Sequence, residues 1–352
     1  MDSFYASAEV MRNSSLKDKP VIIGAEPKDG MGRGVVVSCN YIARKYGVRS
    51  AMPISQAWKL CQQAIYLRPD FEYYESLSNQ VMQIIKTRAR KFEQVSIDEA
   101  FVDLSDNFKS IEDAKLWIKE LKSELKEKTG LTCSVGLAVN KSTAKIATDL
   151  RKPDGMTVVT ADQTKEFLAP LPIKAIPGVG VKTELILNNL NIKTIEDLQR
   201  TDEETLRRHL GKTGLWLWKV ANGLESDEVK EHVLKSLSTE KTFEEDTTDW
   251  NIIERTIKQL SSELTERAKM AHLTYKKIGV KIRFQGFETH TREATLSFYT
   301  DEERVLEKEV FILLKQFRYK DRKIRLVGLK VSELRHEATN QASIKAWLEE
   351  KE

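Results

Sequence analysis

Two adjacent carboxylates, Asp98 and Glu99, interrupt the otherwise mostly apolar run from Val95 to Leu104. Neighbours on a regular strand point to opposite faces, so both acids meet one ion only where the backbone bends, at a hairpin tip or a bulge. Beside a hydrophobic sheet the pair repels itself and is costly unless a cation neutralises it. Mg²⁺ suits such a pair, because it takes oxygen ligands and keeps positions open for phosphates. An exposed acidic turn is the other reading. Cations surround the pair in the sequence. Tyr41 and Arg44 stand three apart, on one helical face, and the Arg44 fork matches phosphate oxygens. Lys141, Lys145, Arg151 and Lys152 follow the next apolar stretch. Carboxylates, a divalent ion and Arg or Lys together make up the parts of a phosphoryl-transfer site. For Lys141 and Lys145 taken singly, a solvated helix face is the competing reading.

These residues need elements to position them. Pro20–Gly24 and Gly34–Ser38 read as strands around a Gly-rich loop, and Val95–Leu104 reads as a β-hairpin. Tyr74, Leu77, Val81, Ile84 and Ile85 recur at helical spacing, as do Ile111, Ala114, Trp117, Ile118, Leu121 and Leu125. Thr132–Val139 reads as a buried strand, followed by a helix from Lys141. This block is α+β in class. From residue 161 to about 226 the pattern is helical with short connections. Residues 227–238 are polar without period and read as a linker. Beyond them Ile253, Ile257, Leu260 and Leu264 mark a helix, and Ile278, Val280, Ile282 and Phe284 a strand of period two. Leu306, Val310, Leu313 and Phe317 mark a second helix, Ile324–Val331 a closing strand, and residues from about 337 a tail.

The chain has 352 residues, which suits two to three domains at about 150 residues each. With 31% charged and 40% hydrophobic residues it is not a disordered sequence. No apolar run reaches the roughly 18 residues of a membrane span. Cys39, Cys61 and Cys133 are isolated, which argues against a disulfide framework or a structural zinc site and for a reduced, cytoplasmic setting. The net charge of +4 says little, but seven of the residues from Lys315 to Lys330 are basic and only Asp321 is acidic, which suggests an anionic partner.

Taken together, MDSFYASAEV, CNYIARKYGVRSAMP, SIDEAFVDLS, CSVGLAVNKSTAKIATDLRKPDG and IPGVG, in that order, resemble the Y-family translesion DNA polymerases, in the DNA polymerase IV branch. The resemblance implies a right-hand α+β fold. Its palm is expected at 1–3 and 70–159, fingers at 4–69, helical thumb at 160–226, and a C-terminal α/β little finger at about 239–336. It implies template-directed, low-fidelity addition of dNTPs to a primer 3′-hydroxyl with two Mg²⁺ ions and no proofreading, in DNA repair and replication. Asp98 and Glu99 are expected at the metals and the chemistry, with the Met1 carbonyl as a further ligand. Tyr41, Arg44 and Lys152 are expected at the triphosphate. Tyr5 is expected to exclude a 2′-hydroxyl, with Phe4 packed beside it; core packing is the other reading for both rings.

In the family pattern an Asp that ligates both metals stands directly before the position of Met1, and Asp2 has no metal role. A start placed too late, a trimmed chain and an impaired enzyme compete as explanations, and the intact remaining motifs favour the first. The alternative function is a non-catalytic DNA- or clamp-binding protein on the same scaffold. A metal-dependent nuclease shares the carboxylates but leaves Tyr5, Tyr41 and Arg44 unexplained.

Contacts to primer–template DNA are expected at two places. Gly178 and Gly180 precede a helix and suit a helix-hairpin-helix that holds a phosphate, with a plain αα-turn as the alternative. Lys277, Lys281 and Arg283 alternate with apolar residues, and with Arg325 they suit a basic face along the DNA backbone, or else a solvated sheet face. In the tail Gln341, Ile344, Trp347 and Leu348 resemble a sliding-clamp peptide; packing on their own domain is the other reading. The resemblance suggests a monomer.

Overall fold

The computed structural model describes residues 1–108, 110–231, 233–318 and 322–336. The expected clamp peptide at Gln341, Ile344, Trp347 and Leu348 lies outside them. The chain forms two compact units, residues 1–232 and 233–352.

The first unit opens with α1 (Phe4–Arg12), then β1 (Val21–Gly24), β2 (Val36–Cys39), α2 (Tyr41–Lys45), α3 (Ile54–Leu60) and β3 (Ile65–Leu67). β1 is central, antiparallel to β2 and parallel to β3. All four of its residues are buried. Alternation sends Val21 and Ile23 into one core, with Phe4, Tyr74, Leu77, Leu121 and Leu125. It sends Ile22 into another, with Val36, Ala43, Val48, Ile54 and Ala57. Both faces of this strand are thus covered, which explains its unbroken apolar run.

Two long helices follow the expected periodicity. α4 (Phe71–Arg88) is N-capped by Asp70, whose Oδ1 accepts from Tyr73 N at 3.2 Å. Between it and α5 (Ile111–Thr129) lies the hairpin of β4 (Lys91–Gln94) and β5 (Ala100–Asp103). Its strands begin four residues earlier than the apolar run suggested, so residues 95–99 form the turn. The expected buried strand Thr132–Val139 shrinks to β6 (Val135–Leu137), which is half-buried. Its flanks explain the difference: Thr132 and Ser134 turn their hydroxyls to Asp2 rather than continue a ladder. α6 (Lys141–Leu150) crosses close over β6, and a Cβ on Gly136 would lie 2.0 Å from Ala144 O. β7 (Met156–Val158) pairs parallel to β6.

Five further helices, α7 (Thr164–Leu168), α8 (Val181–Asn189), α9 (Ile195–Arg200), α10 (Glu203–Leu210) and α11 (Lys212–Ala221), enclose a core of Leu168, Ile173, Leu187, Ile195, Leu206 and Leu217.

The second unit holds β8 (Ser236–Thr247), α12 (Trp250–Met270), β9 (Leu273–Phe284), β10 (Thr289–Thr300), α13 (Glu303–Lys315) and β11 (Ile324–His336). Its sheet has the order β10-β9-β11-β8. Ile253, Ile257, Leu260, Leu306 and Val310 of the helices pack on Ile278, Val280 and Ile282 of one sheet face. The expected linker ends too late, because β8 starts at Ser236; this edge strand buries few apolar residues, chiefly Leu237 and Phe243. β10 was not anticipated, and the closing strand runs on to His336. Phe317 lies beyond the end of α13 yet is 1% exposed, so it belongs to the core but not to the helix.

Candidate active site

An open cleft of about 200 Å³ in the first unit is lined by Met1, Ser3, Phe4, Tyr5, Val37, Ser38, Tyr41, Arg44, Ser50, Ile97, Asp98 and Lys152. Residues distant in sequence converge here on separate supports.

Tyr41 and Arg44 ride on α2, whose placement depends on Asn40. The Asn40 Oδ1 accepts from Ala43 N at 3.0 Å, capping the helix, and from Val21 N at 3.1 Å, tying it to β1. Its Nδ2 donates to Lys19 O at 2.8 Å. The Arg44 guanidinium lies 4.7 Å from the Tyr41 ring centroid. The Tyr41 hydroxyl is buried without a hydrogen-bond partner among the described residues. Burial, then the charges of Asp2 and Asp149, raise its pKa, and Arg44 opposes them. A buried unpaired hydroxyl on a cleft is costly and points to a polar ligand.

Lys152 sits on the loop between α6 and β7, and this loop is fastened from two sides. The carboxylate of Asp2, 3% exposed, accepts from Thr132 Oγ1 at 3.0 Å, Ser134 Oγ at 2.7 Å and Asp154 N at 2.8 Å. Lys122 Nζ donates to the carbonyls of Cys133 (2.9 Å), Asp154 (2.6 Å) and Gly155 (3.1 Å) and pairs with Asp154 Oδ1 at 2.9 Å. Asp2 is therefore an anchor with its oxygens committed. Lys152 itself pairs with Asp149 at 2.7 Å.

Asp98 lies in the hairpin turn, where Val95 N donates to Glu99 O at 2.9 Å. Its side chain is 29% exposed, its Oδ1 accepts from Ser96 Oγ at 3.0 Å, and its carbonyl accepts from the Met1 amino group at 2.7 Å. Glu99 is not on the cleft wall; it makes an ion pair with Lys145. Of the two acids only Asp98 lines the cleft. Among the described residues no cluster of three or more His, Cys, Asp or Glu side chains is placed to cage a metal. Asp98 still fits a Mg²⁺ that arrives with nucleotide phosphates, since that ion is commonly held by one or two carboxylates plus phosphates.

Tyr5 lines the cleft from α1, and burial, reinforced by the charge of Asp98, raises its phenol above the ordinary pKa. Phe4 also lines the cleft but is 4% exposed and packed in the core, with its ring 5.6 Å from that of Tyr5. Of the residues expected to contact DNA, Gly180 N-caps α8 and Gly178 takes φ +89, a conformation that favours glycine. A Cβ on Gly180 would face open space, and one on Gly178 would rest in ordinary contact with the Trp216 ring at 3.7 Å.

In the second unit Lys277, Lys281 and Arg283 lie opposite the helix-covered face, as their alternation indicated. They are not bare cations. Lys277 pairs with Glu293 and Lys281 with Glu240, each at 2.8 Å. Arg283 Nε donates to Thr289 Oγ1 at 2.8 Å, and Arg325 stacks 4.4 Å over Phe287 and lies 3.9 Å from Asp246. Register places Gly328 between Lys281 and Glu240, and with no side chain there the pair closes across β11. Sequence reasoning missed this pairing, missed Ser38, Ser50 and Lys122 around the cleft, and did not reach the anchoring bonds of Asp2 or the pairing of Lys145 with Glu99. No motif signals partners that come from other strands and loops.

Comparison with known proteins follows the same lines. Residues 1–149 match the impB/mucB/samB family, 234–344 its C-terminal domain, and 174–225 the DNA polymerase-iota thumb domain. DNA polymerase IV of Methanoculleus marisnigri is 43% identical over 98% of this chain and 95% of its own length. DNA polymerase IV 2 of Methanosarcina mazei is 42% identical over 98% and 93%. Among solved structures, a Y-family polymerase chimera of Dbh and Dpo4 superposes with a TM-score of 0.88 at 29% identity, covering 96% of this chain and 98% of that one. An insertion ternary complex of Dbh DNA polymerase gives 0.69 at 28%, with the same coverage. The chain belongs to the Y family of DNA polymerases, in the DNA polymerase IV branch: a template-directed, low-fidelity nucleotidyltransferase of the translesion type.

Proposed function

We propose that the cleft is the nucleotidyl-transfer site. The observation that carries this is the convergence of Tyr5, Tyr41, Arg44, Asp98 and Lys152 on one wall-to-wall pocket from four separate segments. In this reading the Tyr41 hydroxyl, the Arg44 fork and the Lys152 ammonium bind the triphosphate of an incoming dNTP. Binding draws Lys152 from Asp149 and gives Tyr41 the partner it lacks. The Tyr5 ring closes the floor below the sugar and leaves no room for a 2′-hydroxyl, with Phe4 packed behind it.

Asp98, with Glu99 once Lys145 releases it, and with the carbonyl of Met1, would hold Mg²⁺. The two ions of the reaction would supply neutralisation of phosphate charge and activation of the primer hydroxyl. The protein's own part is to hold the triphosphate in line with the primer terminus and to keep both from drifting. Duplex DNA is gripped without sequence readout by the backbone at Gly178 and Gly180 and by Lys277, Lys281, Arg283 and Arg325. We further assign the chain a monomeric state on DNA and a cytoplasmic location, and its tail a role in holding the sliding clamp. No helix among the described residues is long and apolar enough to cross a membrane.

The test is primer extension by the 352-residue chain on a primer–template with Mg²⁺ and dNTPs. Incorporation that disappears with Asp98→Ala supports the site; incorporation that survives the substitution places the chemistry elsewhere.

A further inference from the structure

α1 carries a second set of side chains that the mechanism above does not use. Glu9 and Arg12 follow Tyr5 at i+4 and i+7, so all three lie along one helix face. That face meets the start of α4. The Tyr5 ring stacks on Tyr74 with centroids 4.5 Å apart and planes 19° from parallel. Phe71 meets both rings edge-on, at 6.0 and 6.3 Å. Tyr74 is fully buried, and its hydroxyl donates to Glu9 Oε1 at 2.8 Å.

Glu9 is a buried carboxylate, 5% exposed, and its charge is neutralised locally. Arg12 Nη2 bonds both of its oxygens, at 2.8 and 2.9 Å. The same guanidinium reaches Asp70 Oδ2 at 2.8 Å and lies 4.4 Å over the Tyr73 ring. Asp70 is the N-cap of α4. The tilt of Tyr74 is therefore fixed at both ends, by the helix backbone and by a carboxylate that the facing helix clamps.

We propose that Tyr74 is a positioning residue for sugar discrimination: it sets the height of the Tyr5 ring under the nucleotide, and Glu9 with Arg12 locks Tyr74 in place. A ring that excludes a single hydroxyl must be held to a fraction of an ångström. Tyr5 is partly exposed to the cleft, and among the described residues its hydroxyl has no hydrogen-bond partner, so the stack beneath it supplies the stiffness. The inference rests on the assignment of Tyr5 to the sugar.

The experiment measures incorporation of one dNTP and its matching rNTP by the full chain on the same primer–template. The same pair of nucleotides is then titrated onto the enzyme–DNA complex, so that selectivity is also read as affinity. Tyr74→Leu removes the stack and is expected to lower dNTP-over-rNTP selectivity about tenfold or more, mainly through a lower KM for the rNTP. Tyr74→Phe keeps the ring but frees it from Glu9, and is expected to lower selectivity about threefold with dNTP kcat/KM held within about twofold. A general loss of fold would depress both nucleotides alike and leave the ratio unchanged. Tyr5→Ala is the separating control. If Tyr5→Ala abolishes selectivity and both Tyr74 variants keep the parent ratio, the positioning role is wrong and the Tyr5 assignment stands. If Tyr5→Ala leaves selectivity intact, the assignment of Tyr5 falls and this inference with it.

Discussion

The cleft of the first unit and the open sheet face of the second both gather cations, but they hold them differently. Around the cleft the supporting groups are buried and hydrogen-bonded many times over: Asp2 takes three bonds, Asn40 three, and Lys122 three carbonyls besides Asp154. On the sheet face Lys277 and Lys281 are one-third exposed or more, the first with a carboxylate from adjacent β10 and the second with one from β8, across β11. The first arrangement fixes geometry before a ligand arrives. The second keeps positive charge partly screened, so that on the proposed reading a phosphate backbone would have to compete with Glu240 and Glu293. Chemistry needs the former, whereas a protein that moves along DNA is served by the latter, in which grip is moderate and salt-sensitive.

The widest test of this contrast is at the extremes. Asp98→Ala is expected to lower the incorporation rate by at least about a hundredfold in single-turnover assays while DNA affinity stays near the parent value. Next comes the scaffold of the cleft. Asp2→Ala leaves a backbone N–H and two hydroxyls without their acceptor. It is expected to cost the first unit roughly 2–4 kcal/mol in denaturant unfolding and to raise the dNTP KM by loosening the Lys152 loop. A stable variant with unchanged KM would remove Asp2 from the account.

On the sheet face the expected effects are smaller and of opposite sign for the two partners. Glu240→Gln should tighten DNA binding about two- to fivefold at low salt, the scale of one exposed ion pair. Lys281→Ala should weaken it and reduce the salt slope by up to about one. Fluorescence anisotropy across a salt series reads both, and a weaker Glu240→Gln complex would contradict the screening picture. The smallest effect is a flat line. The raised Tyr5 pKa keeps the phenol neutral past its ordinary value of about 10, so sugar selectivity should not change between about pH 7 and 9.5. A sharp change in that window would mean that Tyr5 ionises there.

Much of the fold was legible because one period dominated each stretch. Ile253, Ile257, Leu260 and Leu264 spell out the buried stripe of α12, and Ile278, Val280, Ile282 and Phe284 the inward face of β9. β8 and β10 were harder because they are edge strands: each has one neighbour and buries few side chains, so the alternation that marks a strand is nearly absent. The site divides the same way. Asp98, Tyr5, Tyr41, Arg44 and Lys152 stand in short motifs and could be named. Lys122 and the Glu9–Tyr74 bond could not, and the partners of Asp2 and Lys145 stayed hidden, because they are brought by tertiary folding. The glycine at 328 reads as a weak point in a strand until register shows what crosses it.

The bonds to Asp2 also bear on the order in which the molecule is built. Its three partners lie 130, 132 and 152 residues further along the chain. Contacts of such separation close large loops and form late. As the chain leaves the ribosome, α1 and the first sheet emerge well before Thr132, and Asp2 waits unpaired until the loop through Asp154 follows. The cleft is therefore among the last parts of the first unit to become complete, and a fragment ending at residue 131 holds none of the three groups that bind the Asp2 carboxylate.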